Sequence, residues 1–143
     1  MGELSNETKL SDKVYKILIV DDDQNLIDSV ALIIKSEIIE RISIHESTDA
    51  EDAMNSASKN KYDLMIIDYK LPKINGDELI RYVRNSDLNK ECPIIFVSGY
   101  YTQFEDSKVV DSFKKVIYIK KPFNVNHLSK HLKSQLFSSN KEL

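Results

Sequence analysis

The sequence contains a single cysteine, Cys92, among its 143 residues. One cysteine cannot form an internal disulfide bond, and proteins that depend on disulfides work mostly in oxidising compartments. We therefore expect a cytoplasmic protein. Long hydrophobic runs are also missing, because Asp28, Lys35 and Glu37 interrupt the most apolar stretches well before the ~20 residues that a membrane-spanning helix needs. The sequence thus predicts no membrane insertion.

Glycine and proline are scarce, with three of each, and this predicts regular elements joined by short connections. Positive charge is not in excess, since 20 lysines and arginines face 23 acidic residues and give a net charge of −3. Broad nucleic-acid binding requires a clustered positive surface, so no direct contact with nucleic acid is expected. The length suits one domain with a substantial core.

Five short apolar runs recur along the chain, and helical patterns fill the segments between them. Most runs are continuously apolar or rich in β-branched residues, as is typical of strands covered on both faces. The second run alternates Ile42 and Ile44 with polar residues, which predicts an edge strand. The runs are 15–20, 41–45, 64–67, 94–97 and 116–119, and the expected helix starts are Asp23, Thr48 with Glu51, Gly76, Thr102 with Glu105, and Asn124.

This alternation of strands and helices predicts an α/β fold. Five strand–helix units imply a parallel sheet with helices on both faces, and right-handed crossovers favour a doubly wound, flavodoxin-like arrangement. We expect the strand order 2-1-3-4-5, because it places the most polar run at an edge. Ligands of such sheets bind beyond the carboxyl ends of the strands, near strands 1 and 3.

Reactive side chains stand where that rule requires them, directly after the predicted strands. Carboxylates about 4 Å apart repel by roughly 4 kcal/mol per pair at an effective dielectric constant of 20, so grouped acids indicate a bound cation or a retained proton. Oxygen ligands without a histidine or cysteine nearby in the sequence favour Mg²⁺, which suits phosphoryl chemistry. These side chains are Asp21, Asp22 and Asp23 after strand 1, Asp68 after strand 3, Ser98 after strand 4, and Lys120 and Lys121 after strand 5.

Four motifs resemble the receiver domain of bacterial two-component response regulators, the CheY-like family. They are KILIVDDD at 16–23, YDLMIIDYKLPKING at 62–76, PIIFVSG at 93–99 and KKPF at 120–123. Each motif is weak by itself, but all four occur in order and each lies at a strand end. The resemblance extends over about residues 16–136, nearly the whole chain.

The resemblance implies a phosphoacceptor signalling module rather than a conventional enzyme. Asp68 would accept a phosphoryl group from the phosphohistidine of a sensor histidine kinase or a histidine phosphotransfer protein, and the domain would catalyse its own phosphorylation and dephosphorylation. Asp22 and Asp68 would bind Mg²⁺ directly and Asp21 through water. The backbone carbonyl of Lys70 would be another magnesium ligand.

The resemblance also implies roles for residues around the phosphoryl group. Ser98 matches the switch hydroxyl, Lys121 the phosphate-binding lysine, and Tyr118 the aromatic switch residue. Lys70 and Tyr100 match the two variable positions that influence reaction rates. Gly76 would close the loop after the phosphoacceptor, and the bond between Lys121 and Pro122 is often cis in this family.

Phosphorylation is expected to change a surface formed by residues 102–113, the fifth strand and the last helix. A downstream protein, not identifiable from the sequence, or a second copy in a phosphorylation-dependent homodimer would bind there. We expect residues 1–13 to form a flexible extension, 14–137 the receiver domain and 138–143 a short tail. No output domain fits, so the chain is either a single-domain regulator or part of a longer protein.

Two other functions compete with the receiver hypothesis. Three acids after strand 1 also match the nucleophile motif of haloacid-dehalogenase-type phosphohydrolases, with Asp21 as nucleophile, although that hypothesis leaves Asp68 unexplained and no acidic pair follows Lys121. A receiver-like binding module that is never phosphorylated is the third hypothesis.

Several other polar residues are expected to have structural roles only. Asp23 is interpreted as a helix N-cap. His45, His127 and His131 are interpreted as surface or helix-face residues, because even the last two, four positions apart, have no acidic partner nearby in the sequence.

Overall fold

The computed structural model describes residues 12–99 and 114–137. This part of the chain contains five strands and four helices, and none of these helices has the length and apolar character needed to cross a bilayer. The predicted helix over 102–113 and Tyr100 lie outside the described residues. The strands are β1 (Tyr15–Val20), β2 (Ile42–Ser47), β3 (Leu64–Asp68), β4 (Ile94–Ser98) and β5 (Val116–Lys120). The helices are α1 (Gln24–Glu37), α2 (Ala50–Lys59), α3 (Gly76–Arg84) and α4 (Val125–Phe137).

The five strands form one parallel sheet in the order β2-β1-β3-β4-β5, which confirms the predicted topology. All residues of β3 and β4 are buried, as expected for central strands with continuous apolar sequences. Only the last residue of β2 is buried, which agrees with its position at the edge. This strand extends to Ser47, two residues beyond the predicted end, because it pairs with β1 as far as Val20.

Two apolar layers cover the opposite faces of the sheet. Successive side chains of a strand point to opposite faces, so Ile17 packs with α1 and α4 while Leu18 packs with α2 and α3. The buried stripe of α1 includes Val30 and Ile34, and that of α4 includes Leu132. The predicted arrangement of helices on both faces is therefore confirmed.

Two helices begin at the caps that the sequence predicts. The Asp23 carboxylate accepts a hydrogen bond from the backbone N–H of Asn25 at 3.0 Å, which fixes the start of α1. The Asn124 side-chain oxygen accepts one from the N–H of His127 at 2.7 Å and fixes the start of α4. Asp23 follows the end of β1, and Asn124 the end of β5, within a few residues. The connections from these strands to α1 and α4 are therefore short.

The predicted capping box at Thr48 is wrong by one position. Asp49 is the N-cap of α2, and its carboxylate accepts the backbone N–H of Asp52 at 2.7 Å. Since Ser47 is still paired with Val20 in the sheet, Thr48 is the first residue available for the bend and the helix starts later. An ionised carboxylate is also a stronger acceptor for a helix N-terminus than a threonine hydroxyl.

A buried amide, Asn89, links three chain segments near the amino-terminal ends of the central strands. Its side-chain oxygen accepts the N–H of Tyr62 at 2.8 Å, and its side-chain nitrogen donates to the carbonyls of Ala57 at 2.9 Å and Asn60 at 2.8 Å. The end of α2, the start of β3 and the loop before β4 thus share one side chain. This anchors β3, the strand that ends in Asp68, at its opposite end.

Candidate functional site

The carboxyl ends of β1 and β3 place three carboxylates side by side. Asp21 follows β1 directly, Asp22 comes next, and Asp68 is the last residue of β3. One oxygen of each lies within 4.8 Å of the others. Asp21 is 4% exposed and Asp68 is 6% exposed, whereas Asp22 is exposed to solvent. Parallel pairing of β1 with β3 therefore brings together acids that are almost fifty positions apart in the sequence.

A lysine lies between the two buried carboxylates. The Lys121 Nζ is 2.9 Å from Asp21 Oδ2 and 3.1 Å from Asp68 Oδ1. Lys120 is exposed and ends β5, so the two neighbouring lysines point in different directions. The peptide bond between Lys121 and Pro122 is cis, as the resemblance implied.

Asp21 uses both of its oxygens within the protein. Its Oδ1 accepts the backbone N–H of Asp23 at 2.9 Å, and its Oδ2 accepts the Lys121 ammonium group. A carboxylate held in this way is oriented and electrostatically satisfied. It suits a supporting role beside Asp68 better than the role of a nucleophile, because both of its oxygens are already held by donors within the protein.

Burial dominates the electrostatics of Asp68 and raises the pKa of its carboxyl to about 6. The negative charge of Asp21 raises this pKa further, whereas the Lys121 ammonium opposes both effects and Asp22 makes a smaller contribution. For Lys121, burial alone would lower the pKa, but the hydrogen bond to Asp21 and the charge of Asp68 outweigh it and raise the pKa. The ammonium group is therefore charged at neutral pH.

Both ways of relieving acid repulsion that the sequence suggested are present at this site. A protein cation lies between two of the carboxylates, and Asp68 retains a proton to a higher pH than an ordinary aspartate. One ammonium group does not neutralise three carboxylates, so negative charge remains at the site. A hard divalent ion would balance this charge, because carboxylate oxygens are the ligands that Mg²⁺ prefers.

A close approach at Gly76 fixes the loop after Asp68. The Gly76 N–H donates to the Tyr69 carbonyl at 2.7 Å, which folds the loop back onto the end of β3. A Cβ atom at position 76 would collide with the Asp68 carbonyl oxygen and would lie 2.9 Å from the Phe96 ring. Only glycine fits here without a shift of β3 or of the loop, in agreement with the loop-closing role that the resemblance implies for it.

The remaining predicted site residues lie around this core. Ser98 ends β4 and is fully buried, and its carbonyl accepts the N–H of Lys121 at 2.8 Å. Tyr118, in β5, is partly buried, with its ring centroid 5.7 Å from that of Phe96. Lys70 lies in the loop after β3 with its side chain exposed.

Sequence reasoning did not identify the apolar floor of the site. A small apolar pocket lies beneath the carboxylates of Asp21 and Asp68, and Ile66, Val97 and Phe123 contribute to its walls. This floor explains why burial is the largest cause of the raised pKa of Asp68. Its strand residues are predicted only as members of the apolar runs, and Phe123 only as the last residue of the KKPF motif, since no sequence signal distinguishes an apolar residue beneath a carboxylate from any other.

Comparison with known proteins gives a consistent result along the chain. The family model "Response regulator receiver domain" matches residues 17–133. The "Response regulator ArlR" of Staphylococcus saprophyticus subsp. saprophyticus is 31% identical over 121 residues, which cover 85% of this chain and 52% of the relative. The protein of the same name from Staphylococcus aureus strain Mu50 gives the same identity and coverage. The chain thus spans about half the length of the curated relatives that it matches.

Solved structures agree with this result. A CheY-like response regulator receiver domain protein from Methanospirillum hungatei JF-1 has a TM-score of 0.76 and 29% identity, covering 92% of this chain and 100% of that one. The chemotaxis response regulator CheY4 of Vibrio cholerae has a TM-score of 0.76 and 25% identity, covering 87% and 100%. The receiver domain of the sensor histidine kinase PA1611 from Pseudomonas aeruginosa PAO1, solved with a magnesium ion coordinated in its active site cleft, shares the fold at a TM-score of 0.75 and 22% identity, covering 87% and 98%.

Proposed function

Because this chain belongs to the response regulator receiver domain family of two-component systems, we propose that Asp68 is its phosphoacceptor. The donor is the phosphohistidine of a sensor histidine kinase or of a histidine phosphotransfer protein. The observation that supports this assignment is the position of Lys121, whose ammonium group lies 3.1 Å from Asp68 at a point where three carboxylates converge. Such a site can hold a dianionic phosphoryl group next to an acid.

The proposed reaction is an in-line displacement at phosphorus. An oxygen of the ionised Asp68 carboxylate attacks, the new P–O bond forms as the P–N bond of the phosphohistidine breaks, and the leaving imidazole nitrogen keeps the electron pair and takes up a proton. Lys121 and the Ser98 hydroxyl donate hydrogen bonds to the phosphoryl oxygens. With a pKa of about 6, Asp68 is mostly ionised at neutral pH and is available as the nucleophile.

The proposed cofactor is Mg²⁺. Asp22 and Asp68 would bind it directly, Asp21 would act through water, and the backbone carbonyl of Lys70 would complete the protein's contribution. Carboxylate oxygens within 4.8 Å of one another fit this ion, and exposed Asp22 leaves room for the water ligands that Mg²⁺ retains. When bound, Mg²⁺ would offset negative charge on the acids and on the transferring phosphoryl group. The magnesium ion in the cleft of the PA1611 receiver domain supports this proposal at the level of a shared fold.

The same geometry argues against Asp21 as a phosphohydrolase nucleophile. Both of its oxygens already accept hydrogen bonds, one from the Asp23 backbone and one from Lys121. Membership of the receiver family favours Asp68 as well.

The signal is proposed to pass from Asp68 through Ser98 and Tyr118 to the surface formed by β5, α4 and residues 102–113. A hydrogen bond from Ser98 to the new phosphoryl group would draw the end of β4 toward Asp68, and Tyr118 on β5 would reorient in response. The contact between Tyr118 and Phe96, a residue of β4, supports this coupling. A downstream protein or a second copy of the chain would bind β5, α4 and residues 102–113, the last of which lie outside the described part.

Further assignments complete the proposal. Residues 14–137 form the receiver domain, flanked by 1–13 and 138–143, as supported by described elements that run from Tyr15 to Phe137. The domain catalyses its own phosphorylation from small phosphodonors and its own dephosphorylation by water. Lys70 and Tyr100 tune these rates. The cytoplasmic location remains a prediction.

Incubation with acetyl phosphate and Mg²⁺, followed by mass spectrometry, tests the assignment. The wild-type chain should gain the mass of one phosphoryl group, located on Asp68 by peptide mapping. Asp68→Asn should show no gain, whereas Asp28→Asn, which removes an exposed acid from α1, should be labelled like the wild type. Turnover of a phosphate ester through Asp21 would support the phosphohydrolase instead, and a complete lack of labelling would favour the non-phosphorylated binding module.

A further inference from the structure

A pair of histidines on α4 lies outside the phosphoacceptor site. His127 and His131 are four residues apart, which places them on one face of the helix. Their ring centroids are 4.9 Å apart and their planes are inclined at 58°. His127 is exposed and His131 is half-buried, so solvent reaches this pair of rings.

The neighbouring contacts hold this face in place. The side chain of Asn124 accepts the His127 N–H at 2.7 Å and caps the helix one turn before the pair. On the other flank, Ser129 donates to Glu37 at 2.8 Å, and this fastens α4 to α1. Position 129 lies about 200° around the helix from position 127, so the histidine face is turned away from α1.

The protonation state of His131 suits metal binding. Burial, the charge of His127 and the charge of Lys130 lower the pKa of His131. At neutral pH the His131 imidazole is therefore neutral and keeps a ring nitrogen lone pair, which is the form that binds metal ions.

We propose that His127 and His131 together bind one transition-metal ion of the Zn²⁺, Ni²⁺ or Cu²⁺ class, each through one ring nitrogen. Imidazole selects these borderline ions, whereas Mg²⁺ prefers oxygen. Tetrahedral zinc with Zn–N bonds of about 2.1 Å places two nitrogens about 3.4 Å apart, which is compatible with two rings whose centroids lie 4.9 Å apart on one helix face.

Two ligands make an open site rather than a closed structural one. Across residues 12–99 and 114–137, the only group of three or more metal-binding side chains is the acidic cluster of Asp21, Asp22 and Asp68. The histidine pair would thus leave coordination positions to water, as catalytic zinc sites do with their fourth position. Since α4 belongs to the surface proposed for output, an ion bound here would add positive charge to that surface.

A zinc titration against a chromophoric chelator, in excess Mg²⁺ so that the acidic cluster is engaged, tests the proposal. We expect one zinc ion per chain. His127→Gln and His131→Gln should each weaken zinc binding by at least about tenfold, because even the loss of an outer partner of a ligand costs about 10–100-fold. The ring NMR signals of His127 and His131 should shift with zinc, while those of His45 should not.

A variant with an unchanged number of histidines provides the matched control. Combining Asn126→His with His127→Gln keeps three histidines but changes the spacing to five, which separates the rings around the helix. This double variant should bind zinc as weakly as His127→Gln alone, with unchanged circular dichroism. Wild-type affinity in the double variant, or in both single variants, would overturn the proposal, as would zinc-dependent shifts confined to residues around Asp68.

Discussion

Asp68→Asn is expected to stabilise the metal-free protein at neutral pH. The folded protein raises the pKa of this carboxyl from 3.8 to about 6, chiefly through burial and the neighbouring charge of Asp21. A raised acid pKa means that the folded state favours the protonated form, so ionised Asp68 opposes folding. The penalty is fully present above pH 6 and disappears as the pH falls toward 3.8.

The magnitude follows from this difference in pKa. A change from 3.8 to about 6 corresponds to about 3 kcal/mol of destabilisation when Asp68 is ionised. Asparagine removes the charge but also weakens the contact with Lys121, which keeps Asp21 as a partner at 2.9 Å. We therefore expect a net gain of about 1–2 kcal/mol at pH 7 rather than the full amount.

Urea unfolding in the presence of EDTA provides the assay. At pH 7 the variant should be more stable than the wild type, and its advantage should shrink steadily as the pH is lowered toward 4. Asp28→Asn is the control, since the loss of an exposed charge should change the free energy of unfolding by no more than about 0.5 kcal/mol. Equal stability at pH 7, or a gain that does not depend on pH, would refute the electrostatic argument.

Three other substitutions test the structure of the site and its support. Lys121→Ala should slow phosphorylation by acetyl phosphate by about 10²-fold or more, as measured by mass spectrometry, because a placed donor is lost, whereas Lys120→Ala should leave the rate unchanged. Gly76→Ala should cost about 1–3 kcal/mol in urea unfolding, because the new methyl group collides with the Asp68 carbonyl. Asn89→Ala should cost about 3 kcal/mol in the same assay, because it leaves a buried N–H and two carbonyls without their partner.

Each of these expectations has a contrary result. Equal defects in the Lys120 and Lys121 variants would mean that general positive charge, not a placed contact, assists the reaction. An unchanged stability for Gly76→Ala would show that the loop can move away from β3 at no cost. Asn85 is exposed at the end of α3 and is the matched control for Asn89, so equal losses in the two alanine variants would contradict the anchoring role of Asn89.

The sheet was predictable because its physical determinants are local. A run such as 64–67 is apolar at every position, which is typical of a strand covered on both faces. The alternation around Ile42 and Ile44 marked β2 as an edge, and that was enough to choose the strand order. The acids and Lys121 follow from the rule that parallel strands end at one edge, although the choice of Lys121 over Lys120 came from the family motif.

What the sequence could not predict depends on contacts between distant elements. Thr48 and Asp49 are both good N-caps, and the position of the cap depends on how far β2 pairs with β1. Likewise, the spacing of His127 and His131 was visible, but the contact of their rings and its exposure to solvent depend on how α4 sits on the sheet.

The raised pKa of Asp68 depends both on the charged groups at the strand ends and on the apolar layer packed beneath them. The carboxylate comes from a strand end and the ammonium of Lys121 from another, but the desolvation that dominates the pKa comes from the apolar layer packed beneath them. That layer also supplies much of the stability of the fold, through residues such as Ile66 and Val97. The protein therefore maintains an unfavourable charge cluster at the edge of a well-packed sheet, and ligands that offset negative charge there bind with an advantage that an exposed cluster would not offer. Ionised Asp68 destabilises the fold when nothing is bound, and only a ligand that offsets its negative charge compensates for that cost. This is the physical argument for a functional rather than a structural role of Asp68.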